Sequence, residues 1–169
     1  MPQFHDAETW QTRLAALPLT SYGAGETVFS EGTRTGQLLI LKSGVVSVVK
    51  GGTEIATVAE PGVIFGELSA LLDQPHTADV RTVEPSEFHV ADAGALLGED
   101  PVALLYVATV LARRLDFTNQ ALLELKNQLE AGESPGLIDQ TIGRIEGLLS
   151  AIGDGYIRAG AGFSMFPGA

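Results

Sequence analysis

The stretch FGELSALLDQPHTADV, Phe65–Val80, decides how this chain folds. Gly66 leads into a short apolar run, Glu67–Leu72, and a second segment ending in Val80 follows Pro75 and His76. A glycine tolerates the left-handed backbone of a tight turn, and N–H groups that open a helix behind it converge on an anion. The first half of the stretch therefore reads as a seat for a small anion. Its second half puts His76 where an arginine would complete such a seat.

Outward from this loop the chain changes period twice. From Thr20 to about Val90 it runs in short β-type segments, TVF, QLLILKSG, VVSVVKGG, EIATVAEPG, VIFGE, TADVRTV and EFHVA, separated by glycine-rich turns. Short strands with turn signals at roughly 8–12-residue spacing predict an antiparallel sandwich or barrel. KSG (Lys42–Gly44) and KGGTE (Lys50–Glu54) read as hairpin turns. Upstream, DAETWQTRLAALPL places Trp10, Leu14 and Leu17 at helical spacing, with Asp6 as the candidate N-cap, Pro18 as the stop and Trp10 as a packing anchor.

Downstream of Pro101, Leu104, Ala108, Leu111, Leu115, Thr118, Leu122, Leu125 and Leu129 follow an alternating 4,3 spacing, a heptad seam. The seam is expected to pack on the barrel from Leu104 to Leu111 and to meet another helix from Leu115 to Leu129. A homodimer through Leu111, Leu115, Leu122, Leu125 and Leu129 is the simplest arrangement, and a fold-back onto a second helical stripe, Ile138, Ile142, Ile145, Leu149 and Ile152, is the alternative. The expected organisation is an N-terminal helix over 1–18, a β-roll over 19–98, a long helix over 99–131 and a helical, Gly-rich tail over 132–169. The fold class is mainly β with flanking helices: an antiparallel β-roll (double-stranded β-helix or jelly roll) with a short N-terminal and a long C-terminal helix.

Composition excludes several classes. With 10 Lys+Arg against 21 Asp+Glu, the net charge of −11 repels a polyphosphate backbone and disfavours nucleic acid as a direct partner. No cysteine is present for disulfides or thiolate metal sites, and no apolar run reaches the ~18 residues of a membrane span, so a cytoplasmic protein is expected. The three histidines, His5, His76 and His89, are scattered, which argues against a metal-binding cupin-like enzyme and against any metal cofactor. Ser69 lacks a G-x-S-x-G elbow and a nearby base, and Arg113 and Arg114 read as a solvated helix face.

Phe65, Gly66, Glu67, Leu68 and Ser69, followed by His76, Thr77, Ala78 and Val80, resemble the phosphate-binding cassette of cyclic nucleotide-binding domains. That module is shared by bacterial catabolite activator proteins, protein kinase A regulatory subunits and cyclic-nucleotide-gated channels. GETVFSEG, Gly25–Gly32, is similar to the family's opening G-E-x-[IV]-F-x-x-G, and the likeness extends from about Leu17 to Leu129. The resemblance implies a non-enzymatic regulatory protein that binds cAMP or cGMP and acts through a shift of its long helix. The residues after Leu129 show no pattern like the family's helix-turn-helix domain. Gly66, Glu67, Leu68 and Ser69 would seat the phosphate and ribose, with Glu67 accepting from the 2′-OH and Thr77 donating to a phosphate oxygen beside Ala78. Val49, Val58 and Ile64 are the candidates for the apolar wall.

The departure is His76, nine residues after Glu67, where the family has arginine. A histidine cannot reproduce a permanently charged guanidinium fork. Two readings are open: a weaker phosphate contact, or a degenerate roll that no longer binds nucleotide and serves as a dimeric protein-interaction module. Arg81 is no substitute, because the strand period turns it to the face opposite Ala78 and Val80. A Glu67 without ligand would need another partner, with His76 as the candidate.

Overall fold

Four consecutive apolar residues, Leu38–Leu41, are all buried, and the two-residue period of a strand sends them into two different cores. Leu38 and Ile40 join Trp10, Leu14, Tyr106, Val107 and Val110 on the helix side. Leu39 and Leu41 join Phe29, Val46, Val58, Val80 and Phe88, which come from both sheets and so fill the space between them. A computed structural model describes residues 7–132 and positions 136, 139, 140 and 143. The elements are α1 (Ala7–Ala16), β1 (Leu19–Tyr22), β2 (Thr27–Phe29), β3 (Gln37–Ser43), β4 (Val46–Lys50), β5 (Thr53–Val58), β6 (Ile64–Phe65), α2 (Glu67–Leu72), β7 (Asp79–Thr82), β8 (Ser86–Asp92), α3 (Ala93–Glu99) and α4 (Pro101–Glu130).

Two four-stranded sheets form, in the orders β1-β8-β3-β6 and β2-β7-β4-β5, and every pairing is antiparallel. This is the expected roll with a short leading and a long trailing helix. One turn is corrected. KGGTE closes a true hairpin, Lys50 facing Thr53, whereas KSG joins β3 in one sheet to β4 in the other. The crossing is tight: Gly44 has φ +106°, and a Cβ there would lie 2.6 Å from Ser86 Cα. Two elements carried no distinct signal. β1 is a half-exposed LTSY strand, and α3 is announced only by Asp92, whose carboxylate caps it by accepting from Ala95 N at 2.8 Å.

The long helix begins where Asp100 accepts from Val102 N (3.0 Å) and Ala103 N (3.2 Å) with Pro101 at the first position. Its buried face is not the heptad seam. Ala103, Tyr106, Val107 and Val110 pack inward, while Leu104 is 42 % exposed and Ala108 faces out. The ring of Trp10 sets this rotation by stacking on Tyr106 with centroids 4.2 Å apart. Leu111 is half-buried against the helix-side core, and beyond it Leu115, Leu122 and Leu129 stand 63 %, 64 % and 59 % exposed. Among the described residues no single helix is long and apolar enough to cross a membrane. The Asp6 cap and the Ile138–Ile152 stripe fall outside the described residues.

Gly44→Ala must move backbone as well as adopt an unfavourable φ, so it is expected to cost about 2–4 kcal/mol, read as a lowered urea midpoint at unchanged slope. A midpoint equal to that of the parent protein would show that the sheet-to-sheet crossing is not the tight contact described.

Candidate functional site

β6 ends in a backbone that only glycine accommodates. Gly66 has φ +93°, and an added Cβ would lie 2.5 Å from Gln37 O and 3.2 Å from the Phe29 ring. The chain then turns into α2, whose end is fixed by Asp73 in the left-handed region, with the Asp73 N–H returned to Ser69 O. Ser69 Oγ donates to Gln74 O at 2.6 Å, so its hydroxyl proton is used inside the loop.

His76 is then delivered to a fixed place. Its N–H donates to Thr33 O and its C=O accepts from Gly32 N, both at 2.8 Å. The ring is 6 % exposed, stacked on Phe29 with centroids 4.2 Å apart, and its Nε2 lies 3.0 Å from Thr35 Oγ1. It is a buried side chain, not an exposed loop residue. Burial disfavours the imidazolium and holds its pKa below the ordinary 6.5.

Behind these residues lies a cavity of about 300 Å³ between the two sheets and α4. Gly66, Glu67, Leu68, Ser69, His76, Thr77 and Ala78 line one side, Val48, Lys50, Ile55, Ala56 and Val58 of the β4–β5 hairpin line the other, and Phe29, Val63, Phe65, Val80 and Arg114 complete the wall. Two expected wall residues are corrected. Val48 lines the cavity and Val49 does not, because the regular alternation of β4 along β7 puts Val48 on the same inner face as the buried Val46. Ile64 belongs to the helix-side core, and its neighbours Val63 and Phe65 face the cavity.

The largest correction concerns Glu67. Glu67 is 6 % exposed, and its carboxylate's partner is Arg114, not His76, with Nη1 2.6 Å from Oε1. Arg114 Nη2 also reaches Ile64 O at 3.4 Å, so Arg114 ties the cassette to α4 and is no part of a solvated face. The signal was present: Arg114 continues the buried row Ala103, Val107, Val110 at helical spacing. Arg81 is exposed and pairs with Asp79 at 2.7 Å, as the strand period requires. Among the described residues no group of three or more His, Asp or Glu side chains is placed to hold a metal ion.

Residues 19–99 match the family model for the cyclic nucleotide-binding domain. This stretch is a domain of the cyclic nucleotide-binding family. A CRP-like cAMP-activated global transcriptional regulator of Mycobacterium tuberculosis is 33% identical over 116 residues, 64% of this chain and 52% of the relative. The chain thus spans about half the length of the curated relatives it matches. Among solved structures, the Thermus thermophilus catabolite activator protein superposes with a TM-score of 0.57 at 22% identity, over 88% of this chain and 95% of that one. The N-terminal domain of a Streptomyces coelicolor A3(2) transcriptional regulator gives 0.53 at 28% identity, over 68% and 87%. The Thermus likeness is one of fold.

In this domain, Arg114→Met leaves a buried carboxylate without its cation and is expected to cost about 2–3 kcal/mol, below a fully enclosed pair because Arg114 keeps 24% exposure. Glu67→Gln in the same chain should return most of that loss, and failure to do so would show that Arg114 acts through packing alone. A second expectation concerns pH. The unfolded chain protonates His76 near 6.5 while the folded chain resists it, so this stability is present above about 6.5 and is lost as pH falls toward the lower folded value. Urea unfolding at pH 7.5 and 5.5 should show a smaller acid loss in His76→Gln than in the parent, by up to about 1.4 kcal/mol per pH unit. Equal losses would contradict the assignment.

Proposed function

We propose that this protein is a cytoplasmic, non-enzymatic regulator that captures a cyclic nucleotide, cAMP or cGMP, in the cavity at Gly66–Ser69 and His76–Ala78. The observation that supports it is the joint wall: polar cassette residues on one side and the apolar β4–β5 hairpin on the other enclose about 300 Å³, which suits a ligand with one charged and one flat apolar end. First-turn amides of α2 and the Thr77 hydroxyl would meet the cyclic phosphate. In the neutral tautomer in which Thr35 Oγ1 donates to Nε2, His76 presents Nδ1–H as its ring donor. Glu67 would accept from the ribose 2′-OH, and that bond competes with Arg114 for the same carboxylate.

The output arises from this competition. Loosening Glu67 from Arg114 biases the position of α4, a two-state shift driven by differential affinity. The exposed row Leu115, Leu122 and Leu129, with Leu111 and Leu125, is the surface for a homodimer and for an unnamed protein partner. Direct contact of these residues with nucleic acid is disfavoured by the net charge of −11.

One observation favours the second reading, a degenerate roll acting as an interaction module: Glu67, Arg114 and His76 already have partners within the protein. Isothermal titration with cAMP and with cGMP at pH 7.5 and pH 6.0 separates the two. Micromolar binding is expected, tighter at pH 6.0, because an anion raises the pKa of a ring whose free value is depressed and so couples capture to proton uptake. His76→Arg should tighten binding and remove this pH dependence. Absence of heat at millimolar ligand in both buffers would sink the capture hypothesis and leave the interaction module.

A further inference from the structure

If the cavity takes a cyclic phosphate, the charge that the missing arginine would have supplied needs a source. The ionisable groups lining the cavity are Lys50, Glu67, His76 and Arg114. Glu67 and Arg114 neutralise one another at 2.6 Å. His76 is held neutral by burial. Lys50 remains, and it forms no ion pair with a carboxylate among the described residues.

Its position is set by the ladder. On β4, Val46, Val48 and Lys50 share a face. Val46 is buried in the inter-sheet core, Val48 packs against it, and Lys50 continues the row to the cavity. β4 pairs with β7 with Val48 opposite Val80 and Val49 opposite Asp79. Lys50, the next residue of β4, lines the same cavity as Ala78, Thr77 and His76. The hairpin tip that holds it is anchored, since Gly51 N donates to Glu31 Oε2 at 3.0 Å. That bond also spends a Glu31 oxygen on the backbone.

We propose that Lys50 supplies the permanent positive charge for the phosphate of the bound nucleotide, taking over from the β4–β5 hairpin the electrostatic part of the role vacated at His76. The inference rests on the reading of the cavity as a cyclic nucleotide site. An ammonium on a long flexible stem binds phosphate as a point charge, without the geometric selectivity of a guanidinium fork. The contact joins the tip of one hairpin to the cassette, so ligand capture closes the cavity from the side opposite α4.

Titration of the intact protein with whichever of cAMP and cGMP it binds more tightly provides the test. Lys50→Met should weaken binding about ten-fold or more, and adding His76→Arg to Lys50→Met should restore affinity to within about three-fold of the parent. Lys42→Met removes the same charge from the other sheet, where Lys42 pairs with Glu87 and does not line the cavity, and should leave affinity within about two-fold. Parent-like affinity in Lys50→Met, or an equal loss in Lys42→Met, would overturn the proposal while leaving nucleotide capture standing. An absence of binding in the parent protein itself is a different result: it removes the site reading, and this inference with it.

Discussion

A carboxylate shut inside a small roll has to be answered by a cation, and the answer to Glu67 comes from a different layer of the molecule, Arg114 on α4. The pair costs desolvation on both sides and returns it only through close geometry, so neither partner can leave without a replacement. That constraint fixes the angle at which α4 meets the cassette. In the proposed mechanism it also makes the helix responsive, because a ligand group that satisfied Glu67 in another way would release Arg114. Other contacts of α4 include apolar ones, Tyr106 on Trp10 and Val107 and Val110 against the helix-side core, and these permit small changes of rotation more readily than a hydrogen-bonded pair does.

The roll supports this arrangement through β3, which is buried on both faces and separates a core between sheets from a core under the helices. The cavity belongs to the first and the docked face of α4 to the second. The loop from Ile64 to Leu72 touches both, since Ile64 packs under the helices while Phe65 and Glu67 line the cavity. A two-residue strand followed by a glycine that no other residue can replace without strain is a stiff way to join them.

Much of this was legible in the residues. The glycine turn, the order of the motifs and the register that puts His76 nine positions after Glu67 are local and depend on no distant partner. Phase and pairing did not show. The resemblance offered Val49 and Ile64 for the wall, but the pleat of β4 turns Val48 inward, and Ile64 packs under the helices while its neighbours Val63 and Phe65 face the cavity. The KSG turn has hairpin chemistry, yet its flanking strands pair with other strands. The heptad of leucines on α4 was the strongest pattern in the chain and faces outward for most of its length, because the stack of Trp10 on Tyr106 chose a neighbouring face. Arg114 was missed for the same reason: its role depends on which face docks.

The central claim is that capture at the cassette is felt at α4 through Glu67 and Arg114, and hydrogen–deuterium exchange reads both ends together. With saturating cAMP or cGMP, amides of Glu67–Ala70 should gain protection while those of Val110–Thr118 change their exchange in the same titration, and Arg114→Met should retain the first effect and lose the second. Protection at the cassette with no change along α4 in the parent protein would contradict the claim.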